Sequence, residues 1–357
     1  MTSSGELLAR TAELVGIPSV SHGEAVIADH VEGILRGVPW LTVERVGENV
    51  VARTELGRPM RLVAAGHLDT VPAAGNELPR IEDEVLWGLG SADMKGGVAV
   101  LLELARTVEA PAVDVTYVFY ACEEVEADHN GLGHLARDRP ELLAGDAAIL
   151  AEPTEATFEA GCQGSMHLEV VVSGARAHTA RPWKGENALH RLAPVLERLA
   201  AYVPREPVLD GCRFKESVQA VSVRGGVAGN VVPDRVVLGV NHRFAPDRTA
   251  DEAEASVREL LAPVLGAADE VRVVDVATGA APGLDHPLLA TLAARNRLEV
   301  RAKLGWTDVA RFAALGVPAV NFGPGDPTLA HTAEERVEAS SIERCFSALR
   351  DLLERGV

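Results

Sequence analysis

Residues 115–124 read Val-Thr-Tyr-Val-Phe-Tyr-Ala-Cys-Glu-Glu, an apolar run of β-strand composition that stops on two adjacent carboxylates, Glu123 and Glu124. A run this apolar belongs to a buried strand, and in open α/β sheets ligands bind in the crevice beyond the carboxyl ends of such strands. Adjacent residues of a regular strand point to opposite faces, so both glutamates reach one site only if the strand is already ending at Glu123. Other strand-like runs in the chain also stop on charged or metal-liking residues.

The first half alternates helical and strand-like patterns. Helices are predicted over 4–15 and 24–37, strands over 41–46, 49–55 and 61–66, a hairpin over 80–87 and a helix over 95–109. After the strand ending at Glu123 come a helix over 131–143 and a strand from Asp146 to Ala151. This alternation predicts an α/β fold with a helix-covered mixed sheet. From about Ser165 the order becomes strand (166–173), helix (186–202), strands (216–224 and 235–244), helix (250–265) and strand (270–277). That β-α-β-β-α-β sequence is the ferredoxin-like plan, a compact domain in its own right. Beyond the Gly/Ala/Pro-rich stretch 278–283, a helix (286–297), a short helix after Thr307, a strand (Ala319 to Phe322) and a closing helix (340–354) return to the earlier style. The expected organisation is a discontinuous catalytic domain, 1–164 and 281–357, interrupted by an inserted domain over 165–280. Two domains also suit a chain of 357 residues.

The bulk numbers exclude some partners. A formal charge of −18 argues against nucleic acid and anionic membranes, because phosphate binding needs clustered Lys and Arg. The four cysteines, Cys122, Cys162, Cys212 and Cys345, have no CxxC spacing and fit reduced thiols in a cytoplasm. No signal-peptide pattern opens the chain, no uncharged apolar stretch reaches membrane-spanning length and no fixed-period repeat is present. A cytoplasmic protein is the expectation.

The chemistry lies at the strand ends. His67 and Asp69 close the 61–66 strand as His-Leu-Asp, and a metal-bound His commonly gives its other N–H to a carboxylate. Asp93 lies in Gly88-Leu89-Gly90-Ser91-Ala92-Asp93-Met94-Lys95-Gly96-Gly97, just before a helix. That loop lacks the Gly-Lys-Ser/Thr of a Walker A and the rest of a dinucleotide fingerprint, which leaves Asp93 as a helix cap or a ligand. Glu152 ends another apolar strand, and His331 follows the Gly-Pro-Gly loop after the last one. Carboxylates are rarely buried unless paired or bound to a cation, so five such endings together predict a metal site. Two imidazoles with several carboxylates suit zinc or cobalt better than magnesium. Two ions sharing a bridging carboxylate need about this many ligands, with one carboxylate left as a base. No G-x-S-x-G elbow is present, and Cys122, placed inside a strand, reads as a small buried hydrophobe.

The stretches Gly66 to Pro72, Gly90 to Gly97, Glu123-Glu124, Ala151 to Thr154, Gly174 to Pro182 and His331 together resemble the M20 metallopeptidase and deacylase family. Ala160 to Gly164, Arg176 to Arg181 and Arg301 to Asp308 are most similar to members that remove succinate from an N-succinyl diamino acid. Cys162-Gln163 departs from the Arg-Arg that Gram-negative members usually carry there. Deacetylation, aminoacylase activity and dipeptide cleavage are the alternatives within the family.

The resemblance implies two Zn2+ ions, with Co2+ as a possible substitute. His67 and Glu152 would hold one ion, Glu124 and His331 the other, and Asp93 would bridge them. Asp69 would orient His67, and Glu123 would be the general base for a metal-activated water. The inserted domain would be a lid and the contact of a homodimer, from which His178 stabilises the oxyanion. Asn230, Arg243, Thr307 and Gly325 would bind an N-acyl amino-acid substrate.

Overall fold

A computed structural model describes residues 3–357, and in it the run at Asp114–Tyr120 lies inside an eight-stranded mixed sheet. The strand order is Thr42–Val46, Asn49–Arg53, Asp114–Tyr120, Arg61–His67, Ala147–Leu150, Ala319–Asn321, Phe158–Ala160 and Val300–Ala302. The four strands from Asp114–Tyr120 to Ala319–Asn321 in that order run parallel. Their register sets His67 beside Tyr120, Ala65 beside Leu150 and Leu150 beside Asn321, so four carboxyl ends open on one edge of the sheet. Every residue of Asp114–Tyr120 and Ala147–Leu150 is buried, as a strand covered on both faces requires.

The helix Gly96–Thr107 packs against this sheet and is buried from Gly96 to Ala105. Its approach to the strand ends depends on Gly97, where a Cβ would lie 2.2 Å from the carbonyl oxygen of Ala151. The first helix, Ser4–Val15, is closed at its start by a capping box between Ser3 and Glu6. Among the described residues no helix is long and apolar enough to cross a membrane.

Two compact units are present. One comprises the chain up to Gly161 with Pro282–Arg301 and Asp308–Val357; the other comprises Cys162–Ala281 with Ala302–Thr307. The sequence reading leaves 302–307 with the larger part. In the structure Trp306 Nε1 donates to Thr278 O at 3.1 Å and the Cys162 thiol approaches Thr307 O at 3.8 Å, holding these residues to the second unit.

Taken by itself, the second unit is an antiparallel sheet in the order Ser217–Gly225, Arg235–Phe244, Gly164–Ser173, Glu270–Ala277. One face carries Met166, Leu168, Val170, Leu238 and Val240 into a core with Val195, Leu199, Val257 and Leu261 from the helices. The helix expected over 186–202 is broken into Ala188–Arg191 and Ala193–Ala200, because Pro194 has no N–H to continue the first segment.

The strand that precedes Glu123 and Glu124 also ends earlier than its sequence predicts. The strand ends at Tyr120, three residues before Glu123, and Cys122 lies past it rather than inside it, with φ +56°. The cause is a change of partner. Beyond Tyr120 the backbone donors go to side chains: Ala121 N–H to Asn49 Oδ1, Cys122 N–H to Glu24 Oε1, each at 3.0 Å, and the next two to Asp69.

Candidate metal centre

The edge where the parallel strands end gathers His67, Asp93, Glu123, Glu124, Glu152 and His331, all within the larger unit. Three overlapping triads have ligand atoms within 4.8 Å of one another: His67, Asp93 and Glu152; Asp93, Glu124 and His331; His67, Glu123 and Glu124. The first two share Asp93. Its two oxygens face different imidazoles, Oδ1 at 3.1 Å from His67 Nε2 and Oδ2 at 3.5 Å from His331 Nε2. Glu124 Oε1 lies 2.8 Å from the same His331 nitrogen.

Each side chain is held by its local backbone. His67 is the last residue of its strand and is 1% exposed; its Nδ1 lies 3.1 Å from Asp69 O and 3.5 Å from Asp69 Oδ1. The main work of the Asp69 carboxylate is elsewhere. Oδ1 accepts the N–H of Glu123 and Oδ2 that of Glu124, each at 3.0 Å, while Ser21 Oγ donates to Oδ2 at 2.8 Å. Asp93 does not cap the following helix: Lys95 occupies that position, and Asp93 has the extended angles φ −117°, ψ 95°. His331 sits on a turn with φ +63°.

The electrostatics follow from crowding. Burial pushes the Glu123 carboxyl well above its ordinary pKa, reinforced by Glu152, Asp308 and Glu124 and opposed by His67. Burial also raises Glu124. His67 loses by burial, but its bonds to Asp69 and Asp93 outweigh that and lift it well above the ordinary imidazole. The bond to Asp93 raises His331 to about 9. Asp69, despite burial, is held at about 2 by His67 and the two amides. The raised imidazoles and the depressed Asp69 both reflect negative charge concentrated at this edge. A divalent cation balances the same charge, and these nitrogen and oxygen donors fit a borderline transition metal.

The sequence of residues 63–355 matches the profile of peptidase family M20/M25/M40. The chain belongs to that family. Membership makes it a metal-dependent amide hydrolase, in keeping with the paired triads. It is 49% identical over 98% of both chains to a Mycobacterium tuberculosis protein provisionally assigned as succinyl-diaminopimelate desuccinylase DapE. It is 44% identical to the succinyl-diaminopimelate desuccinylase of Corynebacterium glutamicum, over 98% of this chain and 96% of that one. In fold it resembles a Staphylococcus aureus tripeptidase, with a TM-score of 0.79 at 21% identity over 99% of this chain and 98% of that one.

The remaining expected site residues of this family member belong to none of the triads. His178 and Asn230 are exposed neighbours on the second unit, where Thr179 N–H donates to Asn230 O at 3.0 Å. Ala180 N–H donates to His178 Nδ1 at 3.0 Å. Arg243 is half-buried, and no carboxylate among the described residues lies within ion-pair distance of it. Thr307 Oγ1 and both amide atoms of Gln163 are buried without a hydrogen-bond partner. Gly325, in the larger unit, has φ +93°, and a Cβ there would lie 2.7 Å from that of Ala92.

Sequence reading missed Glu335, Ser21 and Asp308. Ser21 and Asp308 lie outside the strand-end pattern. Glu334-Glu335 reads as a solvated acidic pair, yet Glu335 is 1% exposed and accepts the N–H groups of Ala92 and Asp93. Its one sequence signal is a position four residues after His331.

Proposed function

We propose that this chain hydrolyses the amide bond of N-succinyl-LL-2,6-diaminopimelate to succinate and LL-diaminopimelate at a pair of zinc ions, for which cobalt can substitute. Similarity to the two desuccinylase sequences over nearly the whole chain carries this reading, and the two triads sharing Asp93 support it. His67, Asp93 and Glu152 would hold one ion, and Asp93, Glu124 and His331 the other. When bound, the ions lower the pKa of water and polarise the amide carbonyl.

Glu123 moves the proton. It is the carboxylate left over when the two triads sharing Asp93 are filled. Its carboxylate takes a proton from the water that adds to the amide carbon. It then gives that proton to the nitrogen as the C–N bond breaks, so the amine leaves neutral. His67 opposes the rise in its pKa, and ions held by the triads would act in the same direction, favouring the ionised form a base needs. Asp69 fixes the backbone from which Glu123 projects.

The inserted unit is a ferredoxin-like lid and homodimer contact in this reading, and closure excludes water. His178 accepts at Nδ1, which leaves its hydrogen on Nε2 as a donor for the oxyanion, supplied across the dimer. Arg243 offers an unpaired fork to a substrate carboxylate. Asn230, Thr307 and Gly325 complete substrate binding. Four buried cysteines, none of them in a disulfide, suit a cytoplasmic setting.

The test is zinc-loaded protein assayed against N-succinyl-LL-diaminopimelate, N-acetylornithine and dipeptides. Succinate release far above the other two activities is expected; efficient deacetylation or peptide cleavage without desuccinylation would sink the substrate assignment.

A further inference from the structure

We propose that Glu335 is a positioning residue that sets the place of Asp93 through the backbone. The inference rests on the reading of Asp93 as the ligand shared by two ions.

Asp93 lies in a turn closed by a bond from Lys95 N–H to Gly90 O at 2.8 Å, which leaves the amides of Ala92 and Asp93 to other acceptors. The segment Ser91–Lys95 has non-helical angles at Asp93 and Met94, so the N–H groups of Ala92 and Asp93 have no helical carbonyl to reach. Both donate instead to one atom, Glu335 Oε1, at 3.0 Å each. A buried donor left without an acceptor is destabilising, so these two bonds favour the conformation that places Asp93. Glu335 is itself anchored. Its carbonyl accepts the N–H of Gly88 at 3.1 Å. The strand that begins at the next residue, Arg336–Glu338, pairs antiparallel with Val85–Trp87.

The bond therefore joins two ligand-bearing segments. Glu335 follows His331 by four residues and holds the turn of Asp93, whose Oδ2 faces the His331 ring. A carboxylate placed this close to another carboxylate is unfavourable as charge, and the arrangement makes sense through the two amides it accepts. Asp69 does the same for Glu123 and Glu124. Two buried carboxylates thus each accept a pair of consecutive amides from a segment that carries a triad residue. Lys95 is buried beside this turn and gives its ammonium to Ile17 O at 2.8 Å.

The experiment compares zinc affinity, by chelator competition, and thermal midpoint for wild type, Glu335→Asp, Glu335→Gln and Asp93→Asn in the full chain. Gln keeps both the reach and the acceptor oxygen, and its affinity should stay within about threefold of wild type, whereas the shorter Asp should weaken both ions by about 10- to 100-fold. Wild-type affinity in Glu335→Asp, even with a lowered midpoint, would reduce Glu335 to a structural residue and overturn the proposal. An equal loss in Glu335→Gln would overturn it too, since charge rather than reach would then matter. Should Asp93→Asn bind two ions as wild type does, the underlying reading of Asp93 fails, an outcome separate from the other two.

Discussion

Asp69 Oδ1 accepts the backbone N–H of Glu123 at 3.0 Å, a bond that crosses from the end of one parallel strand to the turn beyond its neighbour. It ties the residue after the His67 segment to the proposed base, and the second oxygen repeats the bond at Glu124. The position of the glutamate pair is therefore set by a residue that need not touch substrate.

Asp69→Asn replaces one acceptor oxygen with an N–H group facing a donor. A loss of about 1–3 kcal/mol in stability is expected from the unsatisfied amide. A displaced Glu123 should also cost about 100-fold in kcat, since a shift near 1 Å has that effect. Thermal unfolding and steady-state kinetics on the same preparation measure both; an unchanged kcat would remove the link between Asp69 and the base.

Gly97→Ala tests the packing that brings the helix to the strand end. A Cβ there meets the Ala151 carbonyl oxygen at 2.2 Å, and backbone cannot yield as a flexible side chain does. Overpacking should cost about 1–3 kcal/mol. Because Ala151 precedes Glu152, bound metal should fall as well. A variant with wild-type midpoint and metal content would contradict the close approach.

Asp114 gives a pH signature away from the metal centre. Burial would raise its carboxyl, but bonds from Leu56 N–H, Thr54 Oγ1 and Arg58 N–H, with Arg61 nearby, hold it below the ordinary value. A group depressed in the folded state contributes stability that is complete above its unfolded pKa of about 3.9 and is lost as pH falls through the folded value. Asp114→Asn should therefore lower the neutral midpoint and lose less on acidification below about pH 4. Parallel acid limbs for the two proteins would rule this out.

The sequence made the sheet legible because four parallel strands buried on both faces must be apolar throughout, and their ends must then carry the polar chemistry. His67, Glu152 and the glutamate pair announce themselves by ending such runs. Other features left no such trace. The strand stops at Tyr120 because side chains distant in sequence, Asn49, Glu24 and Asp69, take its donors. Glu335 likewise gains its meaning only when the chain folds it onto a turn 242 residues away. Strands of three residues, such as Phe158–Ala160 and Val300–Ala302, are too short to show a period.

In the proposed mechanism the adjacent glutamates divide the labour, Glu124 holding metal and Glu123 carrying the proton. The direct measurement is zinc per chain together with kcat for Glu123→Gln, with Glu124→Gln alongside. Glu123→Gln should retain two ions and lose at least about 100-fold in kcat, the scale of general acid–base catalysis, while Glu124→Gln should lose one ion. A Glu123→Gln protein that sheds an ion, or that keeps full turnover with both, would show that the two glutamates are not divided in this way.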